Sequence, residues 1–143
     1  MKASNELIQA LIKFEGMRLR AYLCPAGVWT IGVGHTRGVK PGQMITREQA
    51  HTLLRGDLVY FEQGIATLLP PALLTQGRFD ALVSFAFNLG LGALERSTLL
   101  AKIRAQAPEA EIRAQFARWV YAGGKRLSGL VKRRKWEADR YFA

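Results

Sequence analysis

The sequence holds a single cysteine, Cys24, in 143 residues, so no internal disulfide can staple the fold. It has two histidines, His35 and His51, and no Cys/His spacing suited to a zinc site. No apolar run approaches the ~18 residues of a membrane span, so stable membrane insertion is not expected. The opening Met1-Lys2-Ala3-Ser4-Asn5-Glu6 shows no apolar stretch before a small-residue cleavage site. No secretory leader is expected, and folding in a reducing cytosol is the simplest expectation. Neither a glycine-rich phosphate loop nor a nucleophile-elbow motif occurs. Acids are also scarce: 11 Asp and Glu face 21 Lys and Arg, a net charge of +10. Such a balance suggests a polyanionic partner, whether nucleic acid, an anionic membrane surface or a wall polymer, without choosing among them. The excess is concentrated late. From Arg118 onward, Arg118, Lys125, Arg126, Lys132, Arg133, Arg134, Lys135 and Arg140 face only Glu137 and Asp139.

What is present is ordinary globular material, 49% hydrophobic and 22% charged, which excludes a wholly disordered chain. A chain of this length buries about 68–70% of the surface its unfolded form exposes, so neither metal nor disulfide is needed to fold it. Residues 1–143 are expected to form one α+β domain, mostly helical, with a small antiparallel sheet at one end. A first helix is predicted over 4–15, capped by Ser4 or Asn5, with Leu7, Ile8, Leu11 and Ile12 as its apolar stripe. Glycine and β-branched residues predict a β-rich lobe over about 17–45, with a third short strand near Gln43-Met44-Ile45. Thr46-Arg47-Glu48-Gln49 fits a capping box, opening a long helix over about 46–69 that Pro70-Pro71 stops. The remainder, about 72–143, reads as a helical lobe: a buried helix over 76–89, one capped by Ser97, one opened by Pro108-Glu109, a loop at Tyr121–Gly124 and a last helix from Val131 to Tyr141. A cleft between the two lobes is the natural ligand site.

Few side chains stand out as chemical groups. Glu15 sits where the first helix ends, beside unpaired carbonyls that disfavour ionisation, as suits a general acid; a solvated surface glutamate is the plainer reading. Cys24 lies in the turn after the first strand and Thr30 in the second strand; alone, they read as a small apolar residue and a β-former. His35 is expected to meet a carboxylate rather than a metal. Lys132-Arg133-Arg134-Lys135 reads locally as a solvated helical face, and the apolar spacing of Phe79, Phe85 and Phe87 argues against a nucleic-acid stacking strip.

Together these segments resemble the phage-type lysozymes, the endolysin muramidases. Glu15-Gly16, Arg18-Leu19-Arg20-Ala21-Tyr22 and Trp29-Thr30-Ile31-Gly32-Val33-Gly34-His35 look like that family's active-site hairpin. The family places a glutamate, then an Asp or Cys after eight residues, then a Thr after five more; Glu15, Cys24 and Thr30 keep that spacing. The stretch from Gln76 to Gly90 is similar to its central buried helix. Trp119–Gly124 and Leu127–Glu137 look like its C-terminal signature.

The resemblance implies cleavage of the β-1,4 bond between N-acetylmuramic acid and N-acetylglucosamine in peptidoglycan, and no cofactor. Glu15 is then the general acid and Thr30 positions water or sugar. Cys24 stands where aspartate is commoner, and a free thiol, with a pKa near ~8.5, serves as a base only if its pKa is lowered. The resemblance favours inversion by water, with Cys24 as covalent nucleophile the alternative. Phe87 and Asn88 fall where the family lines its saccharide cleft, although an Asn near a helix end can also be a cap. Arg133 resembles an arginine that pairs with the catalytic glutamate, and His35 with Asp57 a pair tying sheet to long helix. Peptidoglycan is the expected partner, its carboxylates drawn to the basic surface, and nucleic acid is not expected. The chain is expected to act as a monomer, to stay in the host cytoplasm until a separate holin-type permeabiliser frees it, and then to act on the wall in the periplasm. A basic nucleic-acid-binding module and a wall-binding protein without hydrolysis are the alternatives.

Overall fold

The computed structural model describes residues 1–143, mostly helical with two small antiparallel pairs of strands. The chain forms two compact units, one of Asn5–Tyr60 and one of Met1–Ser4 with Phe61–Ala143.

In the smaller unit, helix α1 (Asn5–Glu15) buries Leu7, Ile8, Ala10 and Leu11, the i, i+3, i+4 stripe of an amphipathic helix. Gly16, at φ 78°, ends it, its N–H bonding the Ile12 carbonyl at 2.8 Å. Strands β1 (Arg18–Leu23) and β2 (Trp29–Gly32) pair antiparallel, with Tyr22 opposite Thr30 and Leu23 opposite Trp29. A tight turn joins them: Gly27 N–H meets the Cys24 carbonyl at 2.8 Å, and Cys24 N–H meets the Val28 carbonyl at 3.0 Å. Gly32, at φ 67°, ends β2 in the left-handed conformation that glycine adopts without strain. The third strand expected near Met44 amounts to an isolated bridge between Arg20 and Met44. Only two backbone bonds flank it, Ala21 N–H to Gln43 and Ile45 N–H to Leu19, and Gly38, Pro41 and Gly42 leave the segment too irregular to extend.

Helix α2 (Arg47–Leu68) contains the boundary between the two units. Its capping box closes reciprocally, with Gln49 N–H on Thr46 Oγ1 at 3.1 Å and Thr46 N–H on Gln49 Oε1 at 2.8 Å.

In the larger unit, α3 (Gln76–Leu89) starts at the Thr75 cap and is buried without a break from Phe79 to Ala86. It packs on α7 (Ser128–Tyr141) so closely that a Cβ added at Gly77 would sit 2.3 Å from the Arg140 carbonyl oxygen. Short helices α4 (Leu91–Glu95), α5 (Thr98–Arg104) and α6 (Glu109–Phe116) complete the bundle, with Ser97 capping α5. Helix α4 stands where only a helix end was expected, and Leu91 fits against Gly64 of α2 at a distance no Cβ would allow. The loop expected at Tyr121–Gly124 is half of a hairpin, β3 (Tyr121–Ala122) and β4 (Lys125–Arg126). Gly123 and Gly124, at φ 58° and 76°, supply the two left-handed residues that such a two-residue connection requires. Helix α7 begins at Ser128, before the expected Val131, because Leu127 already accepts the Val131 N–H.

Candidate active site

The smaller unit places Glu15 exposed in the last turn of α1, just ahead of β1. It brings Cys24 and Thr30 together. Thr30 is 4% exposed, and its hydroxyl donates to the Val28 carbonyl at 3.0 Å. The half-exposed Cys24 thiol is held below the ordinary cysteine pKa, first by the Val28 backbone N–H and then by the Ala26 N–H and the Thr30 hydroxyl, against a smaller opposing effect of burial. A hydroxyl has one proton and here two acceptors, the Val28 carbonyl and the Cys24 sulfur. Ionisation of the thiol favours the second. Nearby, His35 Nδ1 sits 2.8 Å from Asp57 Oδ2 and His35 Nε2 sits 2.9 Å from the Arg37 carbonyl. Both ring nitrogens therefore face oxygens, and the pair ties the turn after β2 to α2.

The larger unit holds the remaining candidates. Phe87 is half-buried and meets Phe61 edge to face, with centroids 5.5 Å apart. Asn88 does not cap α3, whose C-cap is Gly90; its Oδ1 accepts from Arg134 Nη2 at 2.6 Å, which leaves its amide N–H groups available as donors. Arg133 is 3% exposed and gives Nη2 to the Ser84 carbonyl at 3.0 Å, with Nε 3.4 Å from Glu137. Phe79 and Phe85 are fully buried, so the three phenylalanines form no exposed stacking strip.

One expectation needs correction. Only Lys132 and Lys135 of the run Lys132–Lys135 are solvated: Arg134 is 1% exposed and Glu137 is fully buried between Arg133, Arg134 and the Ser84 hydroxyl, which donates at 2.6 Å. Arg134 Nε lies 2.8 Å from Glu137 Oε1 in a bent ion pair. Burial pushes the Glu137 carboxyl up and the Arg134 guanidinium down, and their opposite charges act against both shifts. The sequence reading missed Arg134, Glu137 and Ser84 as one cluster. Its traces were a serine inside an apolar run and a glutamate three and four residues past two arginines.

The model of the phage lysozyme family matches residues 12–137. The chain belongs to that family. As a phage lysozyme family member it is a glycoside hydrolase that cleaves peptidoglycan between N-acetylmuramic acid and N-acetylglucosamine. An endolysin of Acyrthosiphon pisum secondary endosymbiont phage 1 is 40% identical over 96% of the chain and 95% of its own length. The endolysin of Bacillus phage B103 is 44% identical over 96% of the chain, which spans about half (52%) of that relative. The muramidase domain of SpmX from Asticaccaulis excentricus superposes with a TM-score of 0.90 at 34% identity, covering 99% of this chain and 98% of that one. No helix of this phage lysozyme family member is long and apolar enough to cross a membrane.

Proposed function

We propose that the hydrolysis runs through Glu15, Cys24 and Thr30. The Glu15 carboxyl, protonated, gives its proton to the glycosidic oxygen as the bond to the anomeric carbon breaks. A water attacks that carbon from the opposite face, orientated by the Thr30 hydroxyl, and passes its proton to the Cys24 thiolate. The configuration inverts, and solvent exchange then restores the Glu15 proton and the thiolate. The observation that supports this reading is the set of donors around Cys24, the backbone N–H groups of Val28, Ala26 and Cys24 itself and the Thr30 hydroxyl, which lower the pKa of the thiol.

Phe87 and Asn88 serve the sugar, the ring as an apolar face and the free amide as a donor to an N-acetyl group. Arg133 supports the bundle through the Ser84 carbonyl and Glu137, and His35 with Asp57 supports the sheet. Residues 1–143 work as one lysozyme domain and as a monomer, held in the host cytoplasm until a separate holin-type protein opens the membrane, and then acting on the wall in the periplasm. Mass spectrometry of released muropeptides tests the reading. Reducing muramic ends are expected from the native chain and none from Glu15→Gln, and proton NMR of the first product formed, before mutarotation, is expected to show the inverted anomer; anhydro ends, or a retained anomer, would refute it.

A further inference from the structure

Of the hydrogen bonds that the buried Arg134 guanidinium makes, the shortest leads out of its ion cluster. Nη2 reaches Asn88 Oδ1 at 2.6 Å, whereas it lies 3.3 Å from Glu137 Oε2, and Nη1 lies 3.5 Å from the Trp119 carbonyl. The guanidinium is braced behind that bond. Nε stands 2.8 Å from Glu137 Oε1, and Cζ lies 5.2 Å from the centroid of the Phe85 ring, which is fully buried and edge-on to Trp119. Glu137 is fixed in turn by the Ser84 hydroxyl at 2.6 Å. A side chain 1% exposed and held on these sides does not move to suit a partner, so Asn88 conforms to Arg134.

Asn88 is half-buried near the end of α3. A carboxamide in such a place rotates between two nearly isosteric states, one with the oxygen outward and one with the nitrogen outward. A guanidinium decides between them, because it carries five donors and no acceptor. Turning the amide over would set its N–H groups against a cation in a space closed to water. Oδ1 therefore faces Arg134 and the amide N–H groups face away. We propose that Arg134 is a positioning residue for saccharide binding: it fixes the Asn88 carboxamide with its donors outward, so that a sugar oxygen meets a preset N–H instead of a rotating amide. A preset donor lowers the ordering cost of binding. The proposal rests on the reading of Asn88 as a donor to the sugar and adds the residue that orientates it. Glu137 and Ser84 act one step further back, by holding the guanidinium.

Steady-state kinetics on soluble linear glycan strands freed of stem peptides test this, with reducing ends counted and each variant's folding checked by urea denaturation. Asn88→Ala is expected to raise KM about five- to tenfold, the scale of one lost hydrogen bond, with kcat little changed. Arg134→Lys keeps a cation for Glu137 but replaces the fork with a single ammonium that does not span Glu137 and Asn88, and is expected to raise KM to the same extent. The double variant is expected to be no worse than Asn88→Ala alone, because Arg134 acts through Asn88. A loss of stability alone would lower kcat or the urea midpoint and would not vanish in the Asn88→Ala background. Native KM in Arg134→Lys, or an effect of Arg134→Lys that persists in the double variant, would overturn the proposal and leave the Asn88 reading standing; native KM in Asn88→Ala would overturn both. The native chain gives a second reading that needs no variant to fold. Nitrogen-15 relaxation of the Asn88 side-chain amide is expected to give an order parameter near that of rigid backbone, about 0.85, and a value below about 0.6 would overturn the proposal.

Discussion

The two units treat their acids in opposite ways. In the larger one, Asp80 and Glu137 are fully buried and held by several partners: Asp80 accepts from Ser4, Gln76 and Arg140, and Glu137 accepts at Oε2 from Ser84, Arg133 and Arg134. In the smaller one, Glu15 is exposed and the Cys24 thiol is half-exposed, supported by backbone donors rather than by cations. A buried, compensated carboxylate fixes the elements around it and is unsuited to passing protons to a substrate. An accessible acid and an activated thiol have the reverse properties. The bundle therefore holds Asp80 and Glu137 as buried structural charges, whereas the β-rich unit leaves Glu15 and Cys24 accessible.

That division can be broken at either end. The largest effect is expected from Glu15→Gln, which should cut the clearing of permeabilised cells at least about 100-fold while leaving urea unfolding unchanged. Glu137→Ala should do the opposite in kind. It strands two buried guanidinia and should cost about 3–5 kcal/mol in urea denaturation. Cys24 comes next: Cys24→Ala should lower activity and Cys24→Asp should largely keep it. With Cys24 as the base, the acidic limb of the rate profile rises as the thiol ionises, at a pH below that of a free cysteine. Cys24→Asp should carry that limb further towards acid, since an ordinary aspartate ionises near ~3.9; a limb that stays in place would remove Cys24 from the base role. The smallest effect belongs to Asp139, whose carboxyl the Arg113 and then the Lys135 side-chain bonds hold below its usual value. Its folded pKa is the depressed one, so its stabilisation is present above the unfolded value of 3.8 and fades as pH falls through the folded value. Because these groups are exposed, Asp139→Asn should shift stability by no more than about 0.5 kcal/mol at neutral pH and by nothing at low pH.

Much of the scaffold was legible because local chemistry agreed with tertiary context. The Thr46–Gln49 box, the Ser97 cap and the apolar run closed by Gly90 are signals carried within four or five residues, and each element forms where its signal stands. Cys24 and Thr30, singled out only through the family resemblance, lie near one another because the turn between β1 and β2 is short. What escaped depends on partners distant in sequence. Nothing beside Arg134 announces that its guanidinium is buried; the cause is Glu137 one turn on and Ser84 fifty residues upstream. The β3–β4 hairpin escaped for another reason. Its strands are two residues each, too short for alternation to show, and only the Gly123-Gly124 pair marked it.

Asp80 also bears on the order in which the protein is made. Its partners come from Ser4, Gln76 and Arg140, positions 76, 4 and 60 residues away along the chain. During synthesis the first partner leaves the ribosome long before the carboxylate it serves, and the last follows sixty residues after that carboxylate. The bundle cannot neutralise that charge piecemeal as it emerges, so its final locking must wait until Arg140 is free of the ribosome.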